Sequence, residues 1–116
     1  MMRKAIIFHN NVCSTSRNVL DILKENHFDV EIRNYIQNPP SVDELKDILK
    51  KSELEATALL RKKDKVFKES FEDKHLSNEE WLQAISEKPS ILERPIVIIG
   101  NKAVLARPID KVKELV

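Results

Sequence analysis

A stretch near the start of the chain, RKAIIFHNNVCSTSRNVLDILKENHFDVEIR (residues 3–33), contains the pattern of a strand, a helix and a second strand. The apolar, β-branched run at residues 4–8 predicts a buried strand that ends at polar residues. Apolar residues then recur with a 3.6-residue period, which predicts a helix over residues 14–26. Residues 28–32 alternate between apolar and charged, which predicts a second strand with one face in the core. The only cysteine, Cys13, therefore lies where a strand passes into a helix N-terminus.

The middle of the chain, at about residues 41–88, predicts a helical insertion. Three capping boxes, each a serine followed three positions later by a glutamate, mark the starts of helical segments. They are Ser41 with Glu44, Ser52 with Glu55, and Ser77 with Glu80.

The C-terminal part predicts a hairpin and a last helix. A continuous apolar, β-branched run at residues 95–99 is separated from the segment KAVLA at residues 102–106 by Gly100-Asn101, a pair typical of a tight two-residue turn. Pro108 suits the first turn of the helix that follows. The order is β-α-β, helical insertion, β-β-α, and a mixed four-stranded sheet satisfies it. We predict an α/β fold of the thioredoxin-like kind, formed as one domain over residues 1–116.

The charge balance excludes a broad electrostatic binding surface. Lys and Arg number 20 and Asp and Glu 19, so we expect no nucleic-acid partner and no membrane association. The N-terminal apolar run is too short for an export signal, and a lone cysteine forms no internal disulfide, so we expect a protein of the cytoplasm with a reduced thiol. We also expect a monomer. No metal-ligand spacing or glycine-rich phosphate loop is present, so neither a metal nor a bound cofactor is expected.

Cys13 is the first candidate for chemistry. At a helix N-terminus its sulfur faces unpaired backbone N–H groups and the positive end of the helix dipole, and both favour the thiolate and the binding of an anion. His9 adds positive charge if it is protonated, and the hydroxyls of Ser14, Thr15 and Ser16 are donors for a bound oxyanion. The alternative is that Cys13 is a small buried hydrophobe.

Three arginines stand at positions unlike those of solvated helix faces. Arg61 follows an apolar run, and Arg94 and Arg107 both precede prolines at the borders of the predicted hairpin. Because the two ends of a hairpin base point the same way, Arg94 and Arg107 are predicted to converge on one pocket, where guanidinium groups match tetrahedral oxyanions. Three surface arginines are the alternative.

Five segments, in order along nearly the whole chain, resemble the glutaredoxin-coupled arsenate reductases of the ArsC type. The first is HNNVCSTSRN at residues 9–18, similar to the family pattern H-N-x-x-C-x-x-S-R. The others are YIQNPPS at residues 35–41, ALLRK at 58–62, ERPIV at 93–97 and ARP at 106–108.

The resemblance implies a mechanism as well as a thioredoxin-like fold. It implies that Cys13 is the nucleophile, that Arg61, Arg94 and Arg107 bind the oxyanion, that His9 helps to ionise the cysteine and that the Arg94-Pro95 bond is cis. Arsenate or a similar oxyanion is the implied substrate. With no second cysteine, the resolving thiol must come from outside, so glutathione is the implied co-substrate and glutaredoxin the implied partner.

Two other functions stay open. Related thioredoxin-like proteins are transcriptional regulators that bind RNA polymerase, some switched by a C-x-x-C disulfide. Here Ser16 stands at the second cysteine position, which leaves only a regulator without redox control. The other alternative is a monothiol enzyme that removes glutathione from mixed disulfides.

Overall fold

The computed structural model describes residues 3–10 and 13–116, which contain four strands, four α-helices and three short 3-10 helices. The strands are β1 (Lys4–His9), β2 (Asp29–Asn34), β3 (Ile96–Ile99) and β4 (Lys102–Leu105). The α-helices are α1 (Ser14–Glu25), α2 (Val42–Ser52), α3 (Lys65–Ser70) and α4 (Asn78–Glu87), and the 3-10 helices span Ala56–Leu59, Pro89–Ile91 and Ile109–Glu114. They fall into two compact units, one holding the described residues up to Asn38 together with Arg94–Val116, and the other Pro39–Glu93.

The first unit is built on a mixed four-stranded sheet with the order β2-β1-β3-β4. β1 and β2 are parallel, and β3 lies antiparallel to both β1 and β4. The Gly100-Asn101 hairpin is confirmed, because Ile99 pairs with Lys102 and Gly100 takes a positive φ of 59° that suits glycine. The predicted mixed sheet and the thioredoxin-like fold are confirmed.

The core of the first unit lies between the sheet and α1. It joins alternate residues of β1 and β3 to one face of α1 and to the C-terminal 3-10 helix. Its fully buried members include Ala5, Ile7, Val19, Leu23, Val97 and Val112. This packing fixes the C-terminal end of β1 against the N-terminal end of α1, and Cys13 lies at that junction.

Two predictions for this unit are wrong in detail. Ile32 was expected in the core with Val30, but it is 50% exposed, because β2 is an edge strand and only Val30 packs on the core cluster. The last helix is a 3-10 helix with Pro108 before its first residue, and i→i+3 hydrogen bonds such as Lys111 N–H to Pro108 C=O tighten it.

The second unit is helical and occupies the part of the chain where the insertion was predicted. α2 packs against α4, and the ring of Phe67 in α3 stacks on Trp81 of α4 with centroids 6.0 Å apart. Its core is completed by residues such as Leu45, Ile48, Leu59, Leu82 and Ile85. None of the described helices has the length and apolar character that a membrane crossing requires.

The capping boxes of Ser41 and Ser77 are confirmed, with each hydroxyl accepting from the N–H of the glutamate three residues on. The third box is wrong. Ser52 is the last residue of α2, and Glu53 follows in the left-handed conformation with a φ of 61°. The serine therefore ends a helix instead of starting one.

Candidate active site

Cys13 is the N-cap residue of α1. Its backbone is extended, its N–H donates to the carbonyl of Asn10 at 3.0 Å, and its carbonyl accepts from the N–H of Arg17 at 3.1 Å. The backbone N–H of Ser16 approaches the sulfur without the geometry of a full capping bond. These bonds to Asn10 and Arg17 hold Cys13 at the positive end of α1.

Two arginines meet the sulfur from the hairpin side. The Nη2 of Arg107 donates to Sγ of Cys13 at 3.3 Å, and the Nε of Arg107 donates to the carbonyl of Arg94. Arg94 also lowers the pKa of the Cys13 thiol, by side-chain hydrogen bonding and through its charge. The predicted convergence of Arg94 and Arg107 is confirmed. The Arg94-Pro95 bond is cis, as the resemblance implied, and so is the Arg107-Pro108 bond.

The ionisation of Cys13 follows from competing effects. The residue is 7% exposed, and burial, the largest influence, raises the pKa of the thiol. The Ser16 N–H, the hydrogen bond and charge of Arg94, and the charge of Arg107 together outweigh burial, so the pKa of Cys13 lies below that of an ordinary thiol. The surroundings of Cys13 therefore favour the thiolate more than those of an ordinary cysteine.

His9 and Ser16 form a buried pair between β1 and α1. Nδ1 of His9 lies 2.9 Å from Oγ of Ser16, which also accepts from the N–H of Asn10 at 3.2 Å. Which of the two side chains donates depends on the imidazole tautomer. Ser16 is fully buried, so the expectation that its hydroxyl is a donor for an oxyanion is wrong, because that hydroxyl joins β1 to α1. His9 is tied to the Cys13 loop through Ser16.

Arg61 belongs to the second unit, where its N–H donates to the carbonyl of Ile91 at 2.7 Å. This bond flanks a short bridge between Leu60 and Leu92. The backbone of Arg61 is therefore firmly held, and its part in oxyanion binding stays a prediction.

Arg107 also lines a groove of about 540 Å³ in the first unit. The groove is formed by Thr15, Arg107, Pro108, Ile109 and Asp110. One of its walls is thus formed by the residue that contacts the sulfur.

One residue of the site escaped the sequence analysis. Tyr35 follows β2 in the chain, and its side chain is fully buried. The pKa of its hydroxyl is affected by Asn10, Arg94 and Cys13. The sequence contained a signal for Tyr35, the only tyrosine of the chain. Because the carboxyl ends of parallel strands meet at one edge of a sheet, a residue just after β2 lies near the residues just after β1. Tyr35 appeared only as part of a resembling segment.

The geometry has a definite chemical capacity. A thiolate at a helix N-terminus, with two guanidinium groups beside it, is suited to attack an electrophilic centre that carries negative oxygens. Among the described residues, no group of three or more His, Cys, Asp or Glu side chains is placed to hold a metal ion. Fold and site together define a thiol-centred protein of thioredoxin-like fold.

Comparison with known proteins identifies the family. The model of the ArsC family matches residues 8–115, so the chain belongs to the ArsC family. It is 40% identical to the arsenate reductase of Neisseria meningitidis serogroup B over 109 residues, which cover 92% of this chain and 93% of that protein. It is 38% identical over 118 residues to YfgD, an uncharacterised protein of Escherichia coli K12, with 100% and 99% of the two chains covered.

A solved structure agrees over the whole chain. The arsenate reductase from Vibrio cholerae superposes with a TM-score of 0.93 at 33% identity, and the match covers 100% of both chains. The similarity to known members of the family therefore extends to every element of the fold.

Proposed function

We propose that this protein is an oxidoreductase that reduces arsenate, with the Cys13 thiolate as nucleophile. The observation that carries the proposal is the contact of Arg107 with the sulfur, 3.3 Å from Nη2 to Sγ, beside a second arginine. These cations favour the thiolate before the substrate arrives and attract an anion to the same place. That the central atom of this anion is arsenic is inferred from the relatives, which are named arsenate reductases.

In the first step the thiolate attacks the arsenic of arsenate. A sulfur–arsenic bond forms, an arsenic–oxygen bond breaks, and the departing oxygen takes up protons and leaves as water, while arsenic stays As(V). Arg94 and Arg107 stabilise the negative oxygens that remain. Arg61 is the third arginine of this proposal, on the strength of the family resemblance.

In the second step glutathione reduces the adduct. Its sulfur attacks the sulfur of Cys13, a disulfide forms, and the electron pair of the sulfur–arsenic bond goes to arsenic, which leaves as arsenite. Arsenic gains two electrons and each sulfur loses one. Glutaredoxin then reduces the mixed disulfide and restores the thiolate. The protein has no bound cofactor in this proposal, and it acts as a monomer in the cytoplasm, where these thiols are available.

A coupled assay tests the proposal. NADPH oxidation is followed with glutathione, glutathione reductase and glutaredoxin, with and without arsenate. We expect arsenate-dependent turnover that Cys13→Ser abolishes and that Arg107→Ala lowers by about 10²- to 10³-fold in kcat/KM. Arg3→Ala is the matched control, since Arg3 precedes the opposite end of β1 and should leave turnover unchanged.

The assay also separates the alternatives. Turnover with a glutathione mixed disulfide but not with arsenate would identify a deglutathionylating enzyme. Capture of RNA polymerase without any turnover would identify a regulator. Either result would contradict the arsenate proposal.

A further inference from the structure

Tyr35 carries a buried polar group that the mechanism above does not use. Its side chain is 0% exposed, and its hydroxyl has no hydrogen-bond partner of full geometry among the described residues. A buried hydroxyl in this state costs stability relative to a phenyl ring. Such a cost points to a role in the neighbouring site.

The surroundings of the hydroxyl show what it faces. Burial is the largest influence and raises the pKa of Tyr35. The strand register places Tyr35 and Arg94 at the same edge of the sheet, because Asn34 pairs with His9 and Ile96 pairs with Phe8 at the end of β1. The side chains of Asn10 and Arg94 lower the pKa of Tyr35 against the effect of burial, and the charge of Cys13 raises it further. The phenol is therefore neutral at physiological pH, and it stands in the same unit and beside the same arginine as the Cys13 sulfur.

We propose that Tyr35 is a positioning residue, whose neutral phenol oxygen holds the Arg94 guanidinium toward Cys13 and so favours the thiolate. A neutral acceptor suits this place. A carboxylate would hold Arg94 equally well, but its charge would cancel that of the arginine and disfavour the thiolate. The inference deepens the proposed function, in which Arg94 acts on both the sulfur and the anion.

The charged and titratable groups around Cys13 determine how its reactivity depends on pH. Within its own unit, Arg107 contacts the sulfur and Arg94 acts on its pKa, and the charge of Cys13 acts on Tyr35. His9 is hydrogen-bonded to Ser16, whose N–H also acts on the sulfur. The rate of alkylation of Cys13 by iodoacetamide against pH reports its thiolate fraction without any substrate. Failure of the arsenate proposal would therefore leave this result untouched.

Tyr35→Phe removes the hydroxyl and keeps the ring. We expect the midpoint of the alkylation profile to move to higher pH. The rate below the midpoint should fall by about 3- to 10-fold, the effect of one modest hydrogen bond, while the rate at high pH stays the same. Ile48→Val removes a buried methylene in the second unit and is the control that should not move the midpoint.

A double mutant tests whether Tyr35 acts through Arg94. Arg94→Ala should itself raise the midpoint, and adding Tyr35→Phe should then have no further effect. An unchanged midpoint in Tyr35→Phe, or full additivity with Arg94→Ala, would overturn the proposal. So would a raised KM for arsenate with an unchanged midpoint, because the hydroxyl would then contact the anion directly.

A second measurement keeps Tyr35 in place, so it tests the proposal even if Tyr35→Phe does not fold. Tyr35 is the only tyrosine, so its ionisation can be followed by ultraviolet absorbance. Cys13→Ser removes the thiolate charge and should lower the pKa of Tyr35. No change would mean that the phenol does not sense the sulfur, which the proposal excludes.

Discussion

At the scale of single residues, the chemistry of Cys13 depends on its neighbours more than on its exposure. Burial alone would keep the thiol protonated, yet the Ser16 N–H, Arg94 and Arg107 reverse that effect. Because the pKa is lower in the folded than in the unfolded chain, ionisation of Cys13 stabilises the fold. That contribution is complete above the pKa of the unfolded thiol and is lost as pH falls through the lower folded value.

The first prediction concerns Arg107. Arg107→Ala removes the donor that contacts Sγ, so the pKa of Cys13 should rise and the alkylation midpoint should move to higher pH. Alkylation by iodoacetamide between pH 5 and 9 measures this. Arg3→Ala should leave the midpoint in place, and an equal shift in both variants would show that general charge, not contact, is responsible.

The second prediction concerns Ser16. Ser16→Ala leaves the His9 ring and the Asn10 N–H without their buried partner, so the free energy of unfolding should fall by about 1–3 kcal/mol. Urea denaturation measures the loss. Ser14→Ala, at an exposed position of the same helix, is the control and should change stability by less than about 0.5 kcal/mol. Equal stability of the two variants would contradict a structural role for the buried pair.

At the scale of elements, sequence patterns predicted the structure correctly where one local interaction defines it. The boxes at Ser41 and Ser77 depend on contacts within four residues, and both formed as predicted. Ser52 has the same pattern, but α2 had already begun upstream and ends at this serine. The pattern could not show which helix that serine belonged to.

The third prediction tests a cap. Ser77→Ala removes the hydroxyl that accepts from the Glu80 N–H, so the protein should lose about 0.5–2 kcal/mol of stability. Ser70→Ala, an exposed serine at the end of α3, is the matched control and should be nearly neutral. Thermal unfolding of both variants makes the comparison, and similar losses would mean that the cap contributes nothing.

At the scale of the whole molecule, two of the three strand pairs could be predicted, because the β-α-β unit pairs β1 with β2 and the hairpin pairs β3 with β4. The pairing of β1 with β3, which joins them, was not predicted. The meeting of Arg94 and Arg107 also followed from the hairpin, whereas their position at Cys13 was implied only by the family resemblance. The partners that escaped prediction, Tyr35 and the Ser16–His9 pair, depend on which side chains the packed loops enclose. Periodicity carries no information about that enclosure, nor about the exposure of Ile32 on an edge strand.

The fourth prediction concerns the organisation of the chain, which we expect to be one domain over residues 1–116. If so, its two compact units should unfold together. Trp81 fluorescence reports on the second unit and alkylation of Cys13 on the first. Coincident urea midpoints are expected, and two separate transitions would show that the units are independent domains.

The most direct test of the central claim uses reduced protein, glutathione and arsenate without glutaredoxin, and follows the intact mass of the protein and the arsenite released. We expect one glutathione to become bound to Cys13 for each arsenite formed, only when arsenate is present, and at a much lower rate in Arg107→Ala. Glutathione addition that does not depend on arsenate, or arsenite formation by Cys13→Ser, would contradict the account.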